Sequence, residues 1–306
     1  MSRFLKKKWG LVLVALVYTS LWGLAYSLVK LCMRELSISD DLDKCLLAGI
    51  RFTLSGTALS VYAGVSEKRA LPTKNEFPKI LGYGLLGTAI QYSFTFIGLS
   101  RVASGVGAIF DQICVFLVVL LGGILLKNDS LTVKKIIGCV LGFIGIVAVN
   151  IDGLSFSFSF SGEGIMVIAA LCQTGAYFIA AMSAGKVGTV RLVGNAQLIG
   201  GLSLLCVSLL LGARIPQVSL TGMLLLLALA AISAVSYVLS LLPLRYYPAS
   251  KVSVFNLLIP VFGVLFSAPV LGENILKWNY PIALVFIELG IFTVNYKNGK
   301  DKSKDI

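Results

Sequence analysis

Histidine is absent from this 306-residue chain, and charge is scarce, at 13% of residues. Without histidine, the Cys–His zinc signatures and the Ser–His or Cys–His nucleophile arrangements cannot be built. So little charge also excludes an ordinary soluble surface, since soluble domains carry about 25% charged residues. Acids are the rarer sign: 14 Asp and Glu stand against 26 Lys and Arg, a net charge of +12. Nucleic-acid binding would gather that excess on one face, and here it is scattered between apolar runs. The six cysteines make no disulfide framework. Cys114, Cys139, Cys172 and Cys206 lie inside apolar runs as small hydrophobes, and Cys32 and Cys45, which flank one loop, read as two separate thiols. There is no nucleotide-binding loop, and no cofactor is expected.

Apolar sequence is abundant: 57% of residues are hydrophobic and the mean hydropathy is +0.92. That points to lipid as the solvent, where a spanning helix needs about 20 mostly apolar residues. Ten such stretches can be marked, at 9–29, 45–65, 79–99, 102–126, 134–151, 164–184, 191–211, 220–242, 250–271 and 278–296. The expected fold is an all-α membrane protein with ten transmembrane helices, because helices satisfy their own backbone groups in lipid. The basic start "RFLKKKWG" precedes an apolar run longer than a signal peptide's and lacking a small-residue cleavage site, so it reads as an uncleaved first helix. "GYGLLG" at 82–87 satisfies G-x-G-x-x-G, but it lies within a span and follows no strand, so it reads as helix packing. "GCVLG" at 138–142 is a small-xxx-small packing face.

Orientation follows from Lys and Arg. With the N-terminus inside, nineteen of them fall in inner segments and six in outer ones, Arg51 being within a span. Both termini are therefore expected in the cytoplasm, and the cell (plasma) membrane is the expected location. The halves also resemble each other at an offset of about 145 residues. "GIVAVN" (145–150) returns as "GIFTVN" (290–295), Ala103-Ser104 as Ala249-Ser250, Val115-Phe116 as Val261-Phe262, and Tyr92 as Tyr237. Each half has five spans, an odd number, so the second copy enters from the opposite side. Two inverted five-helix repeats are a frequent plan of secondary transporters. The division expected is a first repeat over 1–151, an extracellular linker over 152–163, a second repeat over 164–297 and a cytoplasmic tail over 298–306.

"SLWGLAYSLVK" in the first span, "GIRF" in the second, "RVASGVGAI" opening the fourth and "YPASKVSVFNLLIPVFGVLFSAPVLGE" in the ninth resemble the drug/metabolite transporter superfamily. The likeness is to its ten-helix EamA-type branch, exporters and permeases of amino acids and other small metabolites. The resemblance covers about 9–296. It implies two five-helix repeats around a central cavity, cytosolic termini and alternating access. Pro260 and Gly272-Glu273 match a family pattern in the second half. In the first half Cys114 stands where Pro260 has its counterpart, and Asp129 is the nearest acid to the missing Gly-Glu.

Ionisable groups at membrane depth are the candidates for function. Asp111 lies near the middle of its span on a face of small residues, Gly107, Ala108 and Cys114, and suits a cation or proton site. Arg51 is its natural partner, or a docking point for a carboxylate or phosphate. Glu288, near the middle of the last span, is a further candidate, although the resemblance makes that helix peripheral. Gln91, Gln173 and Asn256 offer hydrogen bonds, and Trp22, Tyr92, Tyr177 and Tyr237 offer amphipathic rings, to a small molecule in a largely apolar cavity. Pro243 and Pro260 are expected to interrupt the eighth and ninth spans. The expected activity is secondary transport of a small metabolite, an amino acid or related compound moved outward, with a proton or ion as a possible coupling partner. A lipid-modifying intramembrane enzyme or a non-transporting scaffold are the alternatives. Neither has its marks here, a cluster of reactive residues at one interface or a sizeable soluble part.

Overall fold

The structure, a computed structural model, describes residues 2–102, 104–126, 129–149, 151, 158–215, 219–272 and 278–295. After a short helical turn at Ser2–Leu5, the chain forms ten helical segments joined by short connections. They are α1 Lys8–Glu35, α2 Asp41–Ser66, α3 Phe77–Leu99, α4 Ser104–Asp111 with Ile113–Leu125, and α5 Val133–Val149. The second half repeats the series as α6 Phe160–Ser183, α7 Thr189–Leu210, α8 Leu220–Leu241, α9 Ala249–Leu271 and α10 Asn279–Asn295. Eight of these are long and apolar enough to cross a bilayer, and α10 is apolar but shorter. Each falls on one of the ten stretches marked in the sequence. The protein is a multi-pass membrane protein built from duplicated halves.

Two helix pairs show how the halves are arranged. Helix α2 packs antiparallel on its counterpart α7. A Cβ on Gly49 would lie 2.7 Å from the Leu205 nitrogen, one on Gly56 2.7 Å from the Leu198 Cα, and one on Gly201 2.5 Å from the Thr53 nitrogen. Helix α5 packs antiparallel on α10 in the same way. Gly138 faces Gly290 and Val294, Gly145 faces Ala283 and Ile287, and Gly290 faces Gly138 and Gly142. Only hydrogen side chains allow backbones so close, and in lipid such packing holds helices together. Each pair joins a helix to its own repeat counterpart running the other way, as an in-plane twofold relation requires. The packing reading of Gly138 and Gly142 matches these contacts. So does that of "GYGLLG", where Gly84 sits within 2.5 Å, by its notional Cβ, of the Ala196 carbonyl oxygen.

Helix α4 departs from the continuous span expected of it, and α9 is interrupted next to Pro260, as expected. Helix α4 breaks at Gln112, directly after Asp111. Gln112 donates its N–H to the Ile109 carbonyl at 3.1 Å, and Val115 donates to Gln112 at 3.0 Å, so i→i+3 bonds replace the α-helical ladder. Helix α9 passes through a 3₁₀ segment, Val254–Leu258, just before Pro260. Pro260 has no N–H for the carbonyl of residue 256, which frees the ladder to tighten there. The two breaks fall at matching places in the two repeats. Pro243 lies in the 3₁₀ turn Leu242–Arg245 that ends α8. The expected linker and tail lie largely outside the described residues, as does Glu273. Phe160–Gly164 already forms the first turn of α6, however.

Candidate functional site

A cavity of about 370 Å³ lies between the repeats, lined by residues of α1, α2, α3, α4, α6, α8 and α9. Of the residues singled out in the sequence, Trp22, Arg51, Gln91, Tyr92, Asp111, Gln173, Tyr177, Tyr237 and Asn256 all line it. Glu288 does not. It is exposed on the outer face of α10, among the exposed side chains of Leu284, Val285, Leu289 and Phe292.

The lining of the cavity reaches the end of the bundle where α1 and α3 finish and α2 starts. Along α1, Trp22, Tyr26, Lys30 and Met33 line it, whereas Leu11, Val14 and Tyr18 are packed in the core. Lys44 at the start of α2 and Ser100 at the end of α3 lie at the same mouth. At the floor, the Tyr18 hydroxyl donates to the Asn256 Oδ1 at 3.0 Å, tying α1 to the tightened part of α9. Tyr18 is 1% exposed.

Arg51 stands about 10 Å along α2 from Lys44 at the mouth, at 1.5 Å per residue. It is 5% exposed. Its Nε donates to the Ser233 Oγ on α8 at 2.6 Å, and Ser233 in turn donates to the Leu229 carbonyl at 2.8 Å. The guanidinium carbon lies 5.7 Å from the Trp22 ring centre and 5.2 Å from that of Phe52. Asp111 is not its partner: among the described residues no ion pair joins them. The Asp111 Oδ2 instead accepts the Tyr26 hydroxyl at 3.0 Å, and the Gln112 amide at 3.4 Å. Tyr92 and Tyr237, counterparts in the two repeats, meet hydroxyl to hydroxyl at 3.1 Å. Trp22 packs edge-on to Tyr237 with ring centres 4.9 Å apart, and Phe52 lies 4.6 Å from Tyr92. The result is a chamber with aromatic walls, one acid and one deep cation, both able to meet a small molecule.

The opposite end carries charge networks that are hardly legible in the sequence. Asp129, after α4, pairs with Lys135 and accepts from the Ser250 N–H at 2.8 Å and the Ser250 Oγ at 2.6 Å. Glu67, at the end of α2, accepts from the Val190 N–H at 3.0 Å. In both places a carboxylate of the first half caps the N-terminal turn of a helix in the second half. Arg191 adds ion pairs to Glu67 at 3.6 Å and Glu76 at 2.7 Å. Burial opposes the Glu76 charge, but hydrogen bonds from Thr73 and the Arg191 guanidinium outweigh it and hold the carboxyl below its ordinary value. Thr73-x-x-Glu76 is a capping box, a pattern visible in the sequence. Asp129, Ser233 and Tyr18 carry no local pattern of that kind, because their partners are far away along the chain.

The EamA-like transporter family profile matches residues 8–151 and 160–296, one match per half. The chain is 27% identical over 324 aligned positions to the uncharacterized transporter YvbV of Bacillus subtilis, covering 100% of this chain and 97% of that one. It is 24% identical over 198 residues to an uncharacterized transporter of Archaeoglobus fulgidus, covering 65% and 66% of the two chains. A WAT1-related chloroplastic protein of Arabidopsis thaliana is 25% identical over 267 residues, 83% of this chain and 63% of that one. One crystal structure superposes with a TM-score of 0.77 at 18% identity over 94% of this chain and 97% of the other, a likeness of fold alone. With both halves matched, this chain belongs to the EamA-like transporter family and is a membrane transporter.

Proposed function

We propose that the chain is a secondary active transporter that exports a small metabolite, an amino acid or related compound, by alternating access. One observation carries this reading: the cavity lies between two antiparallel copies of a five-helix unit and its lining reaches the end of the bundle where α1 finishes, whereas Leu11, Val14 and Tyr18 towards the other end of α1 are packed in the core. Exchanging the arrangements of the two copies would close that mouth and open the other end, which is the mechanical content of an inverted repeat. By the distribution of Lys and Arg, the open mouth faces outward, the sealed end faces the cytoplasm, and both termini are cytoplasmic in the plasma membrane. The state described here is then the outward-facing one.

The residues lining the cavity take the roles their chemistry suits. Asp111, hydrogen-bonded to Tyr26 at a break in its helix, is the group to bind a substrate amine or exchange a proton. Gln91, Gln173 and Asn256 supply neutral hydrogen bonds, and Trp22, Tyr92, Tyr177 and Tyr237 the apolar wall. Arg51 supplies positive charge. Glu288, turned away from the cavity, is left without a role in transport.

The test is a screen of metabolite uptake and efflux in vesicles holding the purified protein, with and without an imposed pH gradient. Saturable flux of particular metabolites that responds to the gradient is expected. Absence of any such flux above protein-free vesicles would overturn the reading.

A further inference from the structure

Arg51 is the group the described fold leaves most plainly unfinished. Its Nε is bonded to Ser233, and two rings flank the guanidinium. Its Nη2, however, is buried with no hydrogen-bond partner. No carboxylate among the described residues forms an ion pair with it. Arginine cannot escape the cost of burial by losing its proton, as lysine can. A buried cation without a counter-charge is strongly unfavourable, so a partner must come from outside the fold. The cavity that it lines offers the space for one.

The charges along that cavity favour one sign. Lys44 stands towards the mouth and Arg51 deep inside, against one acid among the described lining residues, Asp111. Lys44 is paired with Asp41 at 3.2 Å, which mutes but does not remove its field. A cleft lined mostly by one sign, within low-dielectric walls, concentrates ions of the other sign.

We infer that the cargo carries a carboxylate, which docks on the free side of the Arg51 guanidinium with its apolar body against Trp22, Tyr92 and Tyr237. This rests on the transport reading above and adds the group by which the substrate is held. A carboxylate suits the site better than a phosphate. A guanidinium edge matches its two oxygens, whereas the aromatic walls offer a phosphate's further oxygens and second charge little compensation. Ser233 is a positioning residue: by accepting from Nε it turns the other nitrogens towards the cavity.

Benzoate, benzamide and benzylamine test this, being of matched size and respectively anionic, neutral and cationic. Binding of each to the purified full-length protein is measured by calorimetry. Benzoate is expected to bind at least about tenfold more tightly than benzamide, a difference of about 1.4 kcal/mol. That preference should vanish in Arg51→Gln. Asp111→Asn keeps Arg51 and removes the opposing charge, so it should strengthen benzoate binding, and it serves even where Arg51→Gln does not fold. Benzamide binding as tightly as benzoate, a benzoate preference that survives Arg51→Gln, or no benzoate binding at all would each overturn the inference. Flux in vesicles separates it from the transport reading. Benzoate binding without flux of any metabolite would defeat transport alone. Saturable flux of amines or neutral solutes without benzoate binding would defeat the carboxylate alone.

Discussion

Asp111 and Glu288 both lie near the middle of apolar helices, yet their surroundings have little in common. Asp111 sits at a break in α4, accepts a hydroxyl from α1 and faces a cavity. Glu288 sits in an unbroken stretch of α10 and looks outward among Leu and Val side chains. Depth in the membrane is therefore a poor guide to function by itself. What separates the two is the side of the helix each occupies, and that is decided by which helices pack against which. Helix α10 spends its inner face on α5 through Gly290 and its neighbours. Helices α1, α3, α8 and α9 leave polar and aromatic side chains facing a shared space.

The scaffold is the first place to press this comparison, and the largest effect is expected there. In Gly290→Leu, even the first side-chain carbon would lie 2.5 Å from the Gly138 carbonyl oxygen and 2.8 Å from the Gly142 nitrogen. Overpacking of this kind costs about 1–3 kcal/mol per site, more where backbone must move. The purified variant should melt well below the wild type or fail to accumulate in the membrane. Asp111→Asn comes next: insertion and melting should be normal while metabolite flux falls at least about tenfold, as loss of roughly 1.4 kcal/mol of stabilisation implies. Unchanged flux and unchanged pH dependence would remove Asp111 from the mechanism. The sealed end offers a smaller effect. Because the Glu76 carboxyl is held below its ordinary value, its stabilising contribution is complete above that value, about 4.3, and is lost as pH falls through the depressed one. Acid melting curves of the wild type should therefore lose an increment that Glu76→Gln lacks at every pH. The smallest effect is at the opposite pole of the comparison. Glu288→Gln should leave flux within about twofold, since surface changes are usually within 0.5 kcal/mol. A collapse of flux in that variant would undo the contrast between the two acids.

Much of the fold was legible in the residues, because lipid imposes a length on every apolar run and Lys and Arg mark the ends. The inverted repeat was legible in Tyr92 and Tyr237, which the structure brings within 3.1 Å of each other. The grouping of Trp22, Arg51, Asp111 and Asn256 around one cavity follows from helix packing. The sequence could nominate each by polarity but could not say that they meet. These spans are apolar all round, so no stripe marks an inner face, and Glu288 drew the same attention as Asp111 for that reason. The break at Gln112 carries no proline or glycine to announce it, unlike the one before Pro260. Asp129 could be noticed only as an acid in a connecting segment, because Ser250 is 121 residues away along the chain.

The most direct test asks whether the cavity changes sides. A cysteine at Thr95, which lines the cavity, would be placed in a background with the six native cysteines replaced by serine. A membrane-impermeant maleimide would then be applied to either face of sealed vesicles. In the parent, labelling is expected to be faster from the outer face. Asp129→Ala, which removes the cap on Ser250, should make the same cysteine reactive from the cytoplasmic face. Labelling from the outer face alone, whether or not Asp129 is present, would contradict a chamber that opens alternately to the two sides.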